Sequence, residues 1–335
     1  MVNEGKKTEK MKLSFILPIF NTGKYLQKCI DSALAQNLPI EDFEVLLVYD
    51  EGSTDSSLEI AQANVENHPN VRLIQHSNRS IGESLNYAFP LAKGEYVQVI
   101  DTDDYLEPNT IAPLLQRIYD EQLDVLRFKY QNVDEGYHVI QYNKHPYQGM
   151  DFSASVTDGL DFLIHRMGYA CYVPTMIFRR ELLLREGNEM LTIAINDAEW
   201  LPRIMAQADR VSSTDIIVYN YLIRNTSKMH SGREMFVVDE TLKVWDAYIP
   251  YLNGKAADWY KAAMAHGVVS VLSRLANKSY SIRKQYIKKI KSYSIFPLTI
   301  NRASRNVRWR LALINLSPML YCWVLSVKLK LTVKK

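Results

Sequence analysis

Three observations predict an α/β fold built on a mostly parallel sheet flanked by helices. Phe43–Tyr49 (FEVLLVY) is a nearly unbroken apolar run, the pattern of a strand covered on both faces. Strand-like and helix-like patterns alternate through the first hundred residues at the spacing of β-α units. The apolar run YVQVI ends directly in Asp101, Asp103 and Asp104. That places polar chemistry at the carboxyl end of a strand, where open parallel sheets bind ligands.

The elements follow in order. Leu13–Leu17 (LSFIL) reads as a first strand. Lys24–Gln36 sets Leu26, Ile30, Ala33 and Leu34 on one helical stripe. After the Phe43–Tyr49 strand, Ser53, Thr54 and Asp55 offer cap chemistry for a helix over Ser56–Glu66. Val71–Gln75 is a third strand, Ile81–Ala92 a helix and Glu95–Ile100 a fourth strand. Ile111–Glu121 then reads as helix, Val125–Tyr130 as strand and Gln131–Phe152 as a loop-rich stretch holding Gly136, Pro146 and Gly149. Tyr172–Phe178 is extended and Arg179–Arg185 helical, with Arg179 and Arg180 candidates for covering an acceptor side. NDAEWLPRIM from Asn196 begins a helix in which Asn196 and Glu199 have capping-box spacing and Pro202 predicts an end or kink. Ile216–Leu222 is a strand. Beyond it the pattern turns helical, with stripes at Val238, Leu242, Trp245 and Ile249 and at Val268, Val271, Leu272 and Leu275. An α/β domain over residues 1–225 and a helical region over 226–335 are therefore expected.

The chain has 335 residues, of which 47 % are apolar, enough for one large domain and a smaller one. Cys29, Cys171 and Cys322 are far apart and odd in number, which argues against a disulfide framework or thiolate metal site and fits a reducing cytoplasm. The polar start leads to an apolar run too short for a secretory signal and interrupted by Pro18. The net charge of +3 conceals an asymmetry: residues 259–335 carry 16 Lys/Arg and no Asp or Glu, leaving the first 258 residues at −13.

Three carboxylates within four positions repel one another unless a cation sits among them. Asp101 and Asp103 are two apart and would face the same way on an extended strand. Hard divalent cations take such oxygens and share them with substrate phosphates, so a metal–diphosphate site is the first hypothesis. Leu106 stands where an EF-hand loop needs glycine, which excludes that motif. A plain solvated turn before Pro108 is the alternative. Asn21 after the first strand and Asp50 and Glu51 after the second converge on the same sheet edge.

The segments FILPIFNTGKYLQKCIDSALAQ (15–36), VLLVYDEGSTDSS (45–57), NRSIGESLNYAFPLAKGEYVQVIDTDD (78–104) and NDAEW (196–200) resemble the family-two glycosyltransferases, inverting enzymes with a GT-A fold that use nucleotide sugars. The resemblance spans roughly residues 12 to 225. It implies that Asn21, Asp50, Glu51, Gly52 and Asp55 form the nucleotide side, with Asp50 and Glu51 on uracil or ribose and Gly52 in a tight turn. Asp103 is implied as metal ligand for Mn²⁺ or Mg²⁺, Asp101 as a contact to ribose or the metal, and Asp104 as support for either. Asp197 matches the family's acidic pair and would accept the acceptor's proton, with Glu199 a weaker candidate. Asn86 matches an Asn of the donor-side helix. Departures are Glu51 for a usual Asp, Leu85 for a usual Arg and Asn196 for a usual Glu. Asp55 could equally cap a helix, and Asp197 could be a helix-start acid favoured by the dipole. His230 reads as an ordinary loop histidine or a third metal ligand.

Leu311–Val327 carries no charge and is flanked by Arg308, Arg310, Lys328 and Lys330, while Ser317–Pro318 splits it into two helices too short to span a bilayer. Trp309, Tyr321 and Trp323 with these bases suit an anionic headgroup layer. A homodimer or domain-packing surface and a tight single span are the alternatives. The stripe Ile282, Tyr286 and Ile290 with Lys284, Lys288, Lys289 and Lys291 is a second candidate docking face. No base-reading module accompanies the charge, so nucleic acid is not an expected partner.

The resemblance implies a cytoplasmic enzyme, peripheral on the inner membrane face, moving a sugar from a UDP-sugar or similar donor to a glycan or lipid-linked acceptor in capsule or lipopolysaccharide assembly. Two rivals remain: a catalytically silent scaffold of the same fold, and a phosphotransferase of the haloacid-dehalogenase type. The latter places its Asp-x-Asp on the first strand and wants Thr or Val where Tyr105 stands.

Overall fold

A computed structural model describes residues 11–77, 80–140, 150–224, 234–298 and 305–332. Two compact units divide the chain, Met1–Arg224 and Asn225–Lys335.

The first unit begins β1 (Leu13–Ile19), α1 (Gly23–Leu34), β2 (Phe43–Asp50), α2 (Ser57–Asn67), β3 (Val71–His76), α3 (Ile81–Leu91) and β4 (Tyr96–Val99). It continues β5 (Tyr105–Leu106), α4 (Ile111–Asp120), β6 (Val125–Val133), β7 (Val139–Ile140), α5 (Gly159–His165), β8 (Met176–Arg179), α6 (Arg180–Leu183), α7 (Asn196–Met205) and β9 (Val211–Leu222). Among the described residues these strands form one mixed sheet in the order β3-β2-β1-β4-β8-β6-β9-β5, with β7 paired to β6.

The half from β3 to β4 is parallel, as the alternation predicts, with Ile19 opposite Tyr49 and Ile16 opposite Val99. β8 inserts antiparallel against both β4 and β6. The expected strand at Tyr172–Phe178 thus contributes only its second half, because Val173–Thr175 winds into a short 3-10 turn.

Every residue from Phe43 to Tyr49 is buried, which explains the unbroken apolar run. On one face of the sheet Leu26, Ile30 and Ala33 of α1 and Leu114, Leu115 and Ile118 of α4 pack against Phe15, Leu17, Val45 and Leu47. On the other, Phe89 of α3 stacks on Trp200 of α7 at 5.9 Å, and Phe178 meets the same indole edge-on at 5.7 Å. Each such buried side chain contributes about 1.5–3 kcal/mol before entropy is charged against it.

Pro202 does not end α7, which runs through it to Met205. Trp200, Leu201, Ile204 and Met205 are all buried, and this packing holds the helix across the missing N–H. The expected capping box is also not formed. Ile195 is the cap residue, Asn196 is already helical, and Glu199 instead pairs with Arg203 one turn on.

The second unit is helical: α8 (Glu234–Tyr248), α9 (Ala257–Leu275), α10 (Tyr280–Ser292), α11 (Arg305–Leu316) and α12 (Pro318–Thr332). Val238, Leu242 and Trp245 of α8 and Val268, Val271, Leu272 and Leu275 of α9 are buried as their stripes predict. Ile290 of α10 is buried, whereas Ile282 and Tyr286 are half-buried, and Tyr286 donates to Asp239 at 2.5 Å. No helix among the described residues is long and apolar enough to cross a membrane.

Candidate active site

Parallel registry brings the ends of β1, β2 and β4 to one edge of the sheet. Asn21, with a left-handed φ of 52°, follows β1 there. Its Oδ1 accepts the Thr54 N–H at 2.8 Å, which ties the β1–α1 and β2–α2 loops together. Asp55 does the same with both oxygens: Oδ2 accepts from Gly23 N at 2.8 Å and Oδ1 from Ser57 N at 3.1 Å. Its carboxylate therefore braces two helix starts.

Asp50, at the tip of β2, takes the Gly52 N–H on its Oδ1 at 2.9 Å in a tight turn. A methyl group at Gly52 would lie 3.2 Å from that oxygen and 3.5 Å from the Phe20 ring. Phe20 is 47 % exposed, an aromatic face at the rim beside Asp50. Glu51 accepts a hydrogen bond from Ser77. Both ends of the Asn86 amide engage the Met190 backbone, at 2.9 and 2.8 Å, and so fasten the loop that precedes Asp197.

The three rim aspartates have different tasks. Asp104 is buried and fully engaged: its Oδ2 accepts from the hydroxyls of Tyr172 (2.8 Å) and Tyr219 (2.9 Å), and its Oδ1 from Leu222 N (2.7 Å). Asp103 forms an ion pair with Arg224. Asp101 has no cationic partner among the described residues, only the Tyr172 hydroxyl at 3.5 Å. Its backbone N–H donates to Tyr219 at 3.1 Å. Burial first, then the charges of Asp104, Asp103 and Asp197, hold the Asp101 carboxyl well above the usual carboxylate range. Burial and the Asp103 charge likewise raise Asp104.

Asp197 opens α7, and its Oδ2 accepts the Val173 N–H at 3.1 Å. Tyr172 and Val173 are consecutive, so one short segment touches both the strand-end acids and the helix-start acid. Burial pushes the Asp197 carboxyl up to about 6, poised to take a proton near neutrality. Glu199 is buried and held by Arg203, whereas Asp197 is half-buried and has no ion-pair partner among the described residues.

No set of three His, Cys, Asp or Glu stands in metal-ligating geometry among the described residues. The rim nonetheless suits a hard divalent cation held jointly with substrate oxygens, because Asp101 and Asp103 supply oxygen donors and the neighbouring acids disfavour the ionised form of Asp101. His230 lies outside the described residues, as do positions 78–79 of the quoted motif.

Arg179 and Arg180 do not cover this rim. Arg179 lies opposite Tyr96 at the start of β4 and pairs with Glu95 and Asp124, both at 2.9 Å. Together with Glu181, Leu184 and Arg185 they line an open cavity of about 380 Å³ at that far end, remote from the aspartates. Residues that sequence reasoning missed are Phe20, Tyr172, Tyr219 and Arg224. Only Phe20, within the FNTG stretch, carried a local signal.

A family model described as glycosyl transferase family 2 matches residues 14–184, about half of the chain. The uncharacterized glycosyltransferase YibD of Escherichia coli K12 is 29 % identical over 233 residues, which is 67 % of this chain and 64 % of that protein. Chondroitin synthase of Escherichia coli is 42 % identical over 99 residues, 30 % of this chain and 14 % of its own length. These matches span less than two thirds of the relatives' length. Among solved structures, S. aureus TarS 1–349 in complex with UDP-GlcNAc superposes with a TM-score of 0.69 at 22 % identity, covering 96 % of this chain and 92 % of that one. The mannosyltransferase PcManGT of Pyrobaculum calidifontis, in complex with GDP-Man and Mn²⁺, gives 0.53 at 16 % identity, covering 94 % and 87 %. With the GT-A architecture beneath a family match over half its residues, the chain belongs to glycosyl transferase family 2.

Proposed function

We propose that this chain transfers a sugar, with inversion, from a UDP-sugar to a hydroxyl of a glycan or lipid-linked saccharide in surface-polysaccharide assembly, on the cytoplasmic face of a membrane. One observation carries the reading. The Tyr172–Val173 segment joins the strand-end acids to a lone carboxylate whose ionisation is raised to about 6.

In a single displacement the acceptor oxygen bonds to the anomeric carbon as the bond to the diphosphate breaks, and the acceptor's proton moves to a base. Asp197, ionised above about pH 6, takes that proton. Asp50 and Phe20 border the nucleoside, and Gly52 keeps the loop close. Asp103 and Asp101 would hold Mn²⁺ or Mg²⁺, which supplies charge neutralisation to the departing diphosphate. Arg224 brings a further positive charge to the same edge. The uridine donor is supported by the UDP-GlcNAc complex of the TarS fold neighbour, and the polymer acceptor by the chondroitin synthase relative.

The test incubates purified protein with a panel of nucleotide sugars and an acceptor mixture, and measures nucleoside diphosphate release with Mn²⁺ and with EDTA. Release from one donor, lost on chelation and in Asp197→Asn, is expected. Equal release by Asp103→Ala, Asp197→Asn and the unmodified protein would sink the reading in favour of a silent scaffold.

A further inference from the structure

Helices α11 and α12 each present a row of apolar side chains to solvent. On α11, Trp309 (45 % exposed), Ala312 and Leu316 (77 %) recur at i, i+3 and i+7. On α12, Leu320 (37 %), Trp323 (58 %) and Val327 (39 %) repeat that spacing. The inward row is already filled, since Leu311, Ile314, Tyr321 and Cys322 are buried. Tyr321 lies 3.3 Å from the Ser273 hydroxyl and the Cys322 thiol donates to the Leu272 carbonyl at 3.5 Å, both on α9. Each outward row is thus a second apolar face on a helix whose core face is satisfied.

We propose that these rows are a membrane-docking face, with α11 and α12 lying in the headgroup plane of an anionic bilayer. The helices have 12 and 15 residues. At 1.5 Å per residue neither reaches across a hydrocarbon core of roughly 30 Å, so they lie on the surface. A tryptophan in each row suits the interface, where an apolar body and a polar N–H are both accommodated. Charge chooses the occupant. Residues 259–335 carry 16 Lys/Arg and no acid, with Arg308 and Arg310 next to Trp309 in the chain and Lys328 next to Val327. A symmetric contact between two copies would set this wholly basic region against itself. An anionic lipid surface complements it at about 1 kcal/mol per base near the surface. The membrane-side setting rests on the function proposed above; the face itself rests on exposure, spacing and charge.

The test uses the full-length protein and sedimentation with vesicles of phosphatidylcholine alone or mixed with phosphatidylglycerol. Binding to the mixed vesicles, weakened by added salt, is expected. The double variant Leu320→Glu with Trp323→Glu should lower the vesicle-bound fraction at least about tenfold, while the circular dichroism spectrum and donor hydrolysis in solution stay unchanged. Equal binding by the variant, or no binding of the unmodified protein to anionic vesicles, overturns the proposal. So does a variant that lowers the sedimenting mass of the free protein without changing vesicle binding, which would assign the rows to a second copy. Retained donor hydrolysis with absent vesicle binding would defeat the docking face alone; retained binding with no hydrolysis of any donor would defeat the transfer reading alone.

Discussion

Tyr219 donates its phenolic proton to Oδ2 of Asp104 at 2.9 Å and accepts the backbone N–H of Asp101 at 3.1 Å, so one side chain on β9 fixes two of the three rim aspartates, on either side of Asp103 in the chain. Removing that hydroxyl leaves a buried acceptor and a buried N–H poorly matched. Tyr219→Phe should therefore lose about 1–3 kcal/mol of unfolding free energy, measured by urea denaturation, with a parallel fall in transfer rate. An unchanged midpoint would mean the phenol is dispensable.

Asp197 titrates near 6 because burial disfavours its charge. As pH falls through that value the base becomes protonated, so kcat/KM should drop with unit slope on the acid side and be flat between about 7 and 8. Asp197→Asn should lose at least about 100-fold in kcat while donor affinity, followed by calorimetry, is preserved. A variant that loses donor binding instead would assign Asp197 to the donor side.

The same burial has a cost in stability. A carboxyl whose folded pKa is raised stabilises the fold at low pH and loses that contribution as pH rises through the folded value. For Asp197 the loss runs from the ordinary value of 3.8 up to about 6. Asp101 and Asp104 are raised as well and act in the same direction. Asp197→Asn should then be more stable than the unmodified protein at pH 8, by on the order of 1–2 kcal/mol, and show no gain at pH 4. Thermal melts at the two pH values decide it.

A divalent cation at the acidic rim would relieve the same repulsion. Mn²⁺ should raise the melting temperature more at pH 8 than at pH 5, where protons already quench the charge, and Asp103→Ala should abolish the difference. A pH-independent Mn²⁺ shift would place the ion elsewhere.

Gly159 begins α5 against the end of α7, the helix that carries Asp197. A methyl group there would sit 1.7 Å from the Met205 carbonyl oxygen and 2.9 Å from that of Ala208. Gly159→Ala must push the two helices apart, so a loss of more than about 3 kcal/mol is expected. Gly187→Ala, at a site with nothing within 4 Å but a φ of +80°, isolates backbone strain without a clash and should cost less. Equal losses in the two variants would contradict the packing argument.

The parallel half of the sheet was legible because strands buried on both faces leave unmistakable apolar runs, as FEVLLVY does. The acid run after β4 and the motif around Asp50 were legible because strand ends and tight turns are local. The antiparallel entry of β8 was not, since direction depends on pairing across 80 residues of chain, as between Tyr96 and Arg179. Tyr172, Tyr219 and Arg224 were invisible for the same reason: each reaches Asp103 or Asp104 from 68 or more positions away. The spacing of Asn196 and Glu199 misled because Arg203, one turn on, competes for the glutamate.

Leu222 gives its N–H to Asp104, and Arg224, the last residue of the first unit, pairs with Asp103. The strand that leaves the first unit thus also walls its acidic rim. A shortened chain ending at Val218 would keep every residue of the recognisable motifs yet lose Tyr219, Leu222 and Arg224. Cutting after Arg224 is the deepest C-terminal trimming that keeps these contacts with Asp103 and Asp104.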